Sequence, residues 1–223
     1  MNGCQTILFD LDGTLTDPME GITRCVQYAL RSFGIEVADR TELEPFIGPP
    51  LKESFMEFYG FTEAQAGVAV EKYRERFQDT GIYENIPYCG MKELLHGLKK
   101  QGKTLAVASS KPEVYVMRIL EHFELAEFFD VVTGSEMDGR RTGKEEVIEE
   151  TITRLETLGI TERGQMVMVG DRKFDVAGAH ASGMRAIGAA YGYAAEGELE
   201  QAGAEVIVHT VEELGRELLG EML

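Results

Sequence analysis

Six short apolar runs constrain this chain more than any other feature: Thr6–Phe9, Thr104–Ala108, Val131–Thr133, Gln165–Val169, Arg185–Ile187 and Glu205–Val208. Each is about as long as one strand and, apart from one polar residue at an end, is continuously hydrophobic rather than alternating with polar residues. A strand of that kind must be covered on both faces, which a parallel sheet flanked by helices provides. After residue 90 the runs alternate with helical patterns, so the spacing predicts βα repetition and an α/β fold with a mainly parallel sheet. Ligands of such sheets belong beyond the carboxyl ends of the strands.

Between the first run and the second lie about ninety residues, far more than one crossover helix needs. The inserted stretch reads as helical over Met19–Phe33, Leu51–Tyr59 and Thr62–Gln78, and Thr62 and Gln65 have capping-box spacing at the start of the last segment. Gly34, Gly48-Pro49-Pro50, Gly60 and Gly81 supply stops and turns. The pattern predicts a small helical cap domain over residues 18–85, inserted into a core built from residues 1–17 and 86–223. Asp17-Pro18 and Glu84-Asn85-Ile86-Pro87 are its hinges.

With 223 residues, 43% hydrophobic and 27% charged, the chain has the composition of a globular protein with a sizeable core. A formal net charge of -17 argues against nucleic acid or an anionic membrane surface as partners, since both need a basic face. No apolar stretch approaches the roughly 20 residues of a membrane span, and the first residues lack a basic region followed by an apolar one, so a cytoplasmic protein is expected. Cys4, Cys25 and Cys89 show no CxxC or disulfide pattern, and His96, His122, His180 and His209 lack metal-ligand spacing.

The first apolar run ends on Asp10 and Asp12. On an extended backbone these point the same way while Leu11 faces the packed side. Two anions so close repel, which raises one pKa and invites a cation or a shared proton; one carboxylate can then attack while the other holds a proton. An acidic turn explains Asp12-Gly13 but not a second acid at the mouth of an apolar strand. Other runs also end on polar residues, namely Ser109 and Ser110 after the second and Asp171 and Asp175 after a later one, with Lys144 between them in sequence. If a helix begins near Asp171, both later acids face one point above its first turn, and with Asp10 they form an oxygen-rich cluster suited to Mg2+. Ser109 can donate to a phosphoryl oxygen beside the amides of a following helix, and Lys144 can neutralise phosphate charge. Gly139 to Lys144 is not a P-loop, because three residues separate its glycines and no Ser or Thr follows the lysine. No GxGxxG follows the first strand, so dinucleotide binding loses support.

The set Asp10-Leu-Asp12-Gly-Thr-Leu-Thr, Ser109, Lys144 and Gly170-Asp171-xxx-Asp175 resembles the haloacid dehalogenase superfamily of phosphatases, over nearly the whole chain. Phe46-Ile47-Gly48-Pro49-Pro50-Leu51 and Ser109-Ser110-Lys111-Pro112 are similar to cap-loop and second-motif patterns of its phosphoglycolate phosphatase-like branch. Ser109 stands where many relatives have Thr, which keeps the hydroxyl. The resemblance implies a Rossmann-like core with an inserted helical cap that closes over the site. It implies Asp10 as nucleophile, Asp12 as general acid and base, and Mg2+ held by Asp10, the Asp12 carbonyl and Asp171, with Asp175 in support. It also places Ser109 and Lys144 at the phosphoryl oxygens. Gly13, Thr14 and Ser110 are further candidates for phosphate contact, and Arg24, Lys52 and the Gly48-Pro49-Pro50 loop are the cap features to test for substrate selection.

The implied activity is hydrolysis of a small phosphorylated metabolite, such as phosphoglycolate or a nucleoside 5'-monophosphate, by a monomer or weak homodimer. A dehalogenase needs no acid at the second position, so Asp12 points to phosphate esters. A phosphonate hydrolase would need a reactive cap lysine, and nothing marks Lys52 or Lys72 as buried. A sugar-phosphate mutase shares nucleophile, acid and metal, and a phosphotyrosine phosphatase would need an open site. A non-catalytic phosphate-binding regulator would have no use for the intact Asp10, Asp12, Lys144, Asp171 and Asp175.

Overall fold

In the computed structural model, which describes residues 3–220, the first apolar run forms β1 (Thr6–Phe9), buried along its whole length. It bonds in parallel on both edges, to β4 (Thr104–Pro112) with Thr6 opposite Thr104 and to β6 (Met166–Gly170) with Thr6 opposite Met166. β5 (Val131–Ser135) lies outside β4, and β7 (Arg185–Ala189) and β8 (Val206–Val208) lie outside β6, all of them parallel. The order β5-β4-β1-β6-β7-β8 is 3-2-1-4-5-6 when these strands are numbered along the chain. That is the order of doubly wound nucleotide-binding sheets, whose ligand crevice opens where the winding reverses. Here the reversal is at β1, so the residues just after Phe9 emerge at the mouth of the crevice.

Helices α4 (Met91–Lys100), α5 (Glu113–His122), α6 (Lys144–Thr157), α7 (Lys173–Ala181), α8 (Glu198–Ala202) and α9 (Val211–Leu219) connect and follow the strands. Leu8, Ala106, Met166 and Met168 of the sheet join Val147, Ile148, Ile152 and Leu155 of α6 and Val176 and Ala179 of α7 in one buried cluster. Truncating one of its large side chains to Ala would cost about 2–5 kcal/mol, because a rigid sheet and two helices cannot collapse into the void. This packing holds the first turns of α6 and α7, and therefore Lys144 and Asp175, in register with the strand ends.

The chain divides into two compact units: residues up to Thr16 together with those from Pro87 onward, and the stretch Asp17–Ile86. The second is one residue wider at each end than the predicted insertion. The chain passes between the units in two short strands, β2 (Thr16–Asp17) and β3 (Ile86–Pro87).

The unit Asp17–Ile86 contains α1 (Met19–Arg31), α2 (Leu51–Tyr59), α3 (Glu63–Phe77) and a seven-residue 3-10 helix, Arg40–Phe46, which the helical periodicity had not predicted. The helix read over residues 19–33 stops at Arg31, where Ser32 Oγ donates to Ala29 O at 2.6 Å and competes for the last carbonyls. The capping box at α3 is present: Thr62 N–H donates to Gln65 Oε1 at 2.9 Å and Gln65 N–H to Thr62 Oγ1 at 3.3 Å. Its interior is aromatic, with Phe46 edge-on to Phe55 and Phe55 stacked on Phe61. Among the described residues no helix is long and apolar enough to cross a membrane.

Candidate active site

Asp10 continues the sheet by one hydrogen bond, its N–H donating to Val169 O at 2.9 Å, and then the chain turns sharply. Gly13 N–H donates to Thr16 O at 2.8 Å and Leu15 N–H to Leu11 O at 2.9 Å. Gly13 makes the turn with φ +79, and a Cβ there would overlap the Asp171 carboxylate. Both the left-handed backbone and the close approach therefore demand glycine. The turn buries Asp10 to 4% exposure and Asp12 to 7%.

Lys144, the first residue of α6, reaches into the same crevice. Its Nζ donates to Ala108 O at 3.1 Å and pairs with Asp10 Oδ1 at 2.9 Å and Asp175 Oδ1 at 2.8 Å. Asp10 Oδ1 also accepts from Leu11 N–H at 2.7 Å, which fixes the plane of the carboxylate. α7 begins at Lys173, later than the helix start near Asp171 that the spacing suggested. Asp171 thus sits on the strand-to-helix turn, and Asp175 lies in the first helical turn, where its Oδ2 accepts Arg172 N–H at 3.0 Å. The two acids converge all the same: one oxygen from each of Asp10, Asp171 and Asp175 can be chosen so that all lie within 4.8 Å of one another.

Ser109 is buried at 2% exposure on the same edge, but a helix does not begin beside it. β4 runs on irregularly to Pro112 and α5 starts at Glu113, so the amide groups expected beside Ser109 are displaced along the chain. The residue that meets it is Lys111, whose N–H donates to Ser109 Oγ at 3.4 Å. Lys111 Nζ pairs with Asp12 Oδ2 at 2.7 Å, so each of the paired aspartates has its own ammonium group. Ser110 is half-buried on that segment, and Thr14 is fully buried in the turn with no hydrogen-bond partner for Oγ1. Arg24 and Lys52 belong to the other unit. There Arg24 bonds Glu20 and Glu84, and Lys52 bonds Glu63 at 2.7 Å.

Burial is the main force on these pKa values. It raises Asp12, with Lys111 pulling the other way; it raises Asp171 well above the usual carboxylate range, reinforced by Asp175 and Asp10; and it raises Asp175 to about 6 against the pull of Lys144. For Lys144, burial works against the charged form, but Asp10 and Asp175 outweigh it and hold the ammonium above its ordinary value. When ionised, Asp10, Asp12, Asp171 and Asp175 carry four negative charges and Lys111 and Lys144 carry two positive ones, a deficit of two in a buried site. At an effective dielectric near 20, two carboxylates about 4.8 Å apart repel by about 3.5 kcal/mol.

A divalent cation removes that deficit. The three carboxylate oxygens lie within 4.8 Å of one another, close enough for a hard divalent cation such as Mg2+ to draw them onto one site. Asp171 Oδ1 supports the fit most directly, as a buried carboxylate oxygen with no hydrogen-bond partner, while Oδ2 accepts Tyr193 N–H at 2.8 Å. Asp10, Asp171 and Asp175 are therefore the residues able to hold the ion.

Two contributors were missed in reading the sequence. Lys111 was visible in principle, since it stands two residues beyond Ser109 on an extended segment and so on the same face. Tyr193 was not, because it acts through a backbone N–H that leaves no signature in residue type.

A family model described as haloacid dehalogenase-like hydrolase matches residues 7–189. A 5'-nucleotidase of Pseudomonas aeruginosa is 51% identical over 193 residues, covering 86% of this chain and 86% of that protein. The tyrosine-protein kinase PtkA of Mycobacterium tuberculosis is 37% identical over 97% of this chain and 72% of its own length. A crystal structure of a predicted phosphatase from Clostridium acetobutylicum superposes with a TM-score of 0.91 at 47% identity, covering 97% of this chain and 98% of that one.

Proposed function

The chain belongs to the haloacid dehalogenase-like hydrolase family, and from that premise we propose that it is a Mg2+-dependent phosphomonoesterase working through an aspartyl-phosphate at Asp10. The observation that carries the reading is the buried pair Asp10 and Asp12 at the end of β1, each bonded to its own lysine. Such a pair is expensive to bury and is retained where its two members do different work.

Asp10 attacks phosphorus as the ester P–O bond breaks, and Asp12 in its acid form gives its proton to the departing alkoxide oxygen. The raised pKa of Asp12 favours that acid form. As a carboxylate, Asp12 then takes a proton from the water that attacks the aspartyl-phosphate, and cleavage of the Asp10–phosphorus bond releases inorganic phosphate. Lys144 holds Asp10 in place, and Lys111 supplies charge beside Asp12. Ser109 offers a hydroxyl to a phosphoryl oxygen, whereas the Gly13 and Thr14 amides are already bonded to Thr16 O and Leu11 O and serve to shape the turn beside it. Mg2+ bound by Asp10, Asp171 and Asp175 would supply the positive charge between an anionic nucleophile and an anionic phosphate.

Nucleoside 5'-monophosphates stand first among the substrates, supported by the 51% identity to a 5'-nucleotidase. Phosphoglycolate and sugar phosphates present the same dianion. Arg24 and Lys52 of the helical unit are the residues to test for substrate choice. A second reading, chemistry at a tyrosyl phosphate, is favoured by the likeness to a protein named as a tyrosine kinase over 97% of this chain.

The test is phosphate release from a panel of these metabolites and free phosphotyrosine, with Mg2+ and with chelator, for wild type and Asp10→Asn. Turnover undiminished in Asp10→Asn sinks the nucleophile assignment. Conversion of a sugar phosphate to its isomer without phosphate release indicates a mutase.

A further inference from the structure

The segment Tyr191-Gly192-Tyr193 leaves the end of β7 and lies against the turn that follows β1. Tyr193 N–H donates to Asp171 Oδ2 at 2.8 Å, and the Tyr191 hydroxyl donates to Thr14 O at 3.1 Å. Between them, a Cβ on Gly192 would overlap both Gly13 O and the Asp171 Cβ, so the backbone passes where no side chain fits. The Tyr191 ring stands edge-on to Tyr88 with centroids 4.9 Å apart, and burial raises the pKa of its phenol, which keeps the hydroxyl a neutral donor. One oxygen of Asp171 is thereby clamped to the protein, and Oδ1, buried and without a partner, is left to face a cation.

We propose that Tyr191-Gly192-Tyr193 is a positioning strap that sets the affinity of this site for its divalent cation by fixing Asp171 and the Gly13 turn together. The proposal rests on the cation reading above. Groups that orient a metal ligand from behind commonly matter almost as much to affinity as the ligand itself.

The experiment is calorimetric titration of Mg2+ into the substrate-free protein, with Tm measured in chelator alongside. Gly192→Ala is expected to raise the Kd for Mg2+ by about 10–100-fold, and Tyr191→Phe, which keeps the ring against Tyr88 and loses the bond to Thr14, by about tenfold. A merely structural segment would lower Tm in chelator and leave Kd where it was. Wild-type Kd in both variants overturns the strap alone; if Gly192→Ala does not fold, Tyr191→Phe decides by itself. Failure of the wild type to bind Mg2+ overturns the cation reading, and the strap with it.

Discussion

In the sheet unit, the pairs Lys111–Asp12, Lys144–Asp10 and Lys144–Asp175 join side chains 1% to 10% exposed. In the helical unit, Arg24–Glu20, Arg31–Glu36, Lys52–Glu63 and Lys72–Glu75 join side chains 38% to 78% exposed. Pairs of the second kind contribute about 0.2–1 kcal/mol and are screened by salt. Pairs of the first kind carry a desolvation penalty that apolar replacements would avoid, so their presence speaks for chemistry more than for stability. The helical unit is built on an aromatic interior around Phe46 and Phe55, and even its Arg76–Glu84 pair keeps 18% to 21% of its side chains exposed. Burial of charge, more than its amount, separates the reactive region from the rest of the molecule.

The widest break in that comparison comes from Asp10→Asn, expected to lower kcat on the order of 10^4-fold or more while the protein stays folded, because one of four crowded carboxylates loses its charge. Phosphate release and Tm on the same sample check both halves. Asp12→Ala is next, with a loss of about 10²–10⁴-fold in kcat from removal of the acid and base. Lys111→Met removes the ammonium that opposes burial at Asp12, so Asp12 takes up a proton more readily and stability falls by at most about 3–5 kcal/mol, the range for a broken buried pair, readable by denaturant unfolding. Wild-type stability in that variant would show that the pair is not the buried one described.

The pH dependence sharpens the comparison further. Without a cation, Asp175 is raised from 3.8 to about 6 and Asp171 is raised as well. A carboxyl with a raised folded-state pKa adds stability below its unfolded value, and that contribution is lost as pH rises through the folded value. Metal-free protein should therefore lose stability from about pH 4 through pH 6. Mg2+ competes with those protons, so its increment in Tm should be larger at about pH 7.5 than at about pH 5. An increment that does not grow with pH counts against cation binding by these carboxylates. The smallest effect is expected at Lys52→Ala, within about 0.5 kcal/mol in unfolding free energy, because its partner pair is exposed. Any change in activity there belongs to KM for the metabolite, checked against a small aryl phosphate.

Much of this architecture was legible in residue patterns. Thr6–Phe9, Thr104–Ala108 and Gln165–Val169 announced fully buried strands because a strand covered on both faces has no polar position to reveal. Asp10 with Asp12, and Asp171 with Asp175, stood out because acids closing apolar runs need an explanation beyond folding. The 3-10 helix at Arg40–Phe46 was illegible, as it has neither the helical nor the strand period. Ser109 was assigned to a helix start because the irregular course of β4 beyond Ala108 depends on pairing with β5, which residue types do not record.

By itself the sequence determined the parallel α/β class, the inserted helical stretch and the identity of the acids, since burial and charge are properties of residue types in order. The tertiary structure alone decided which cation serves which acid: Lys111 for Asp12, and Lys144 for Asp10 and Asp175. It also decided that a backbone amide at Tyr193 secures Asp171. Those partners come from separate strand ends and helix starts, and whether an ammonium or an N–H lies within 3 Å of a carboxylate depends on how the sheet and helices pack, which no local pattern encodes.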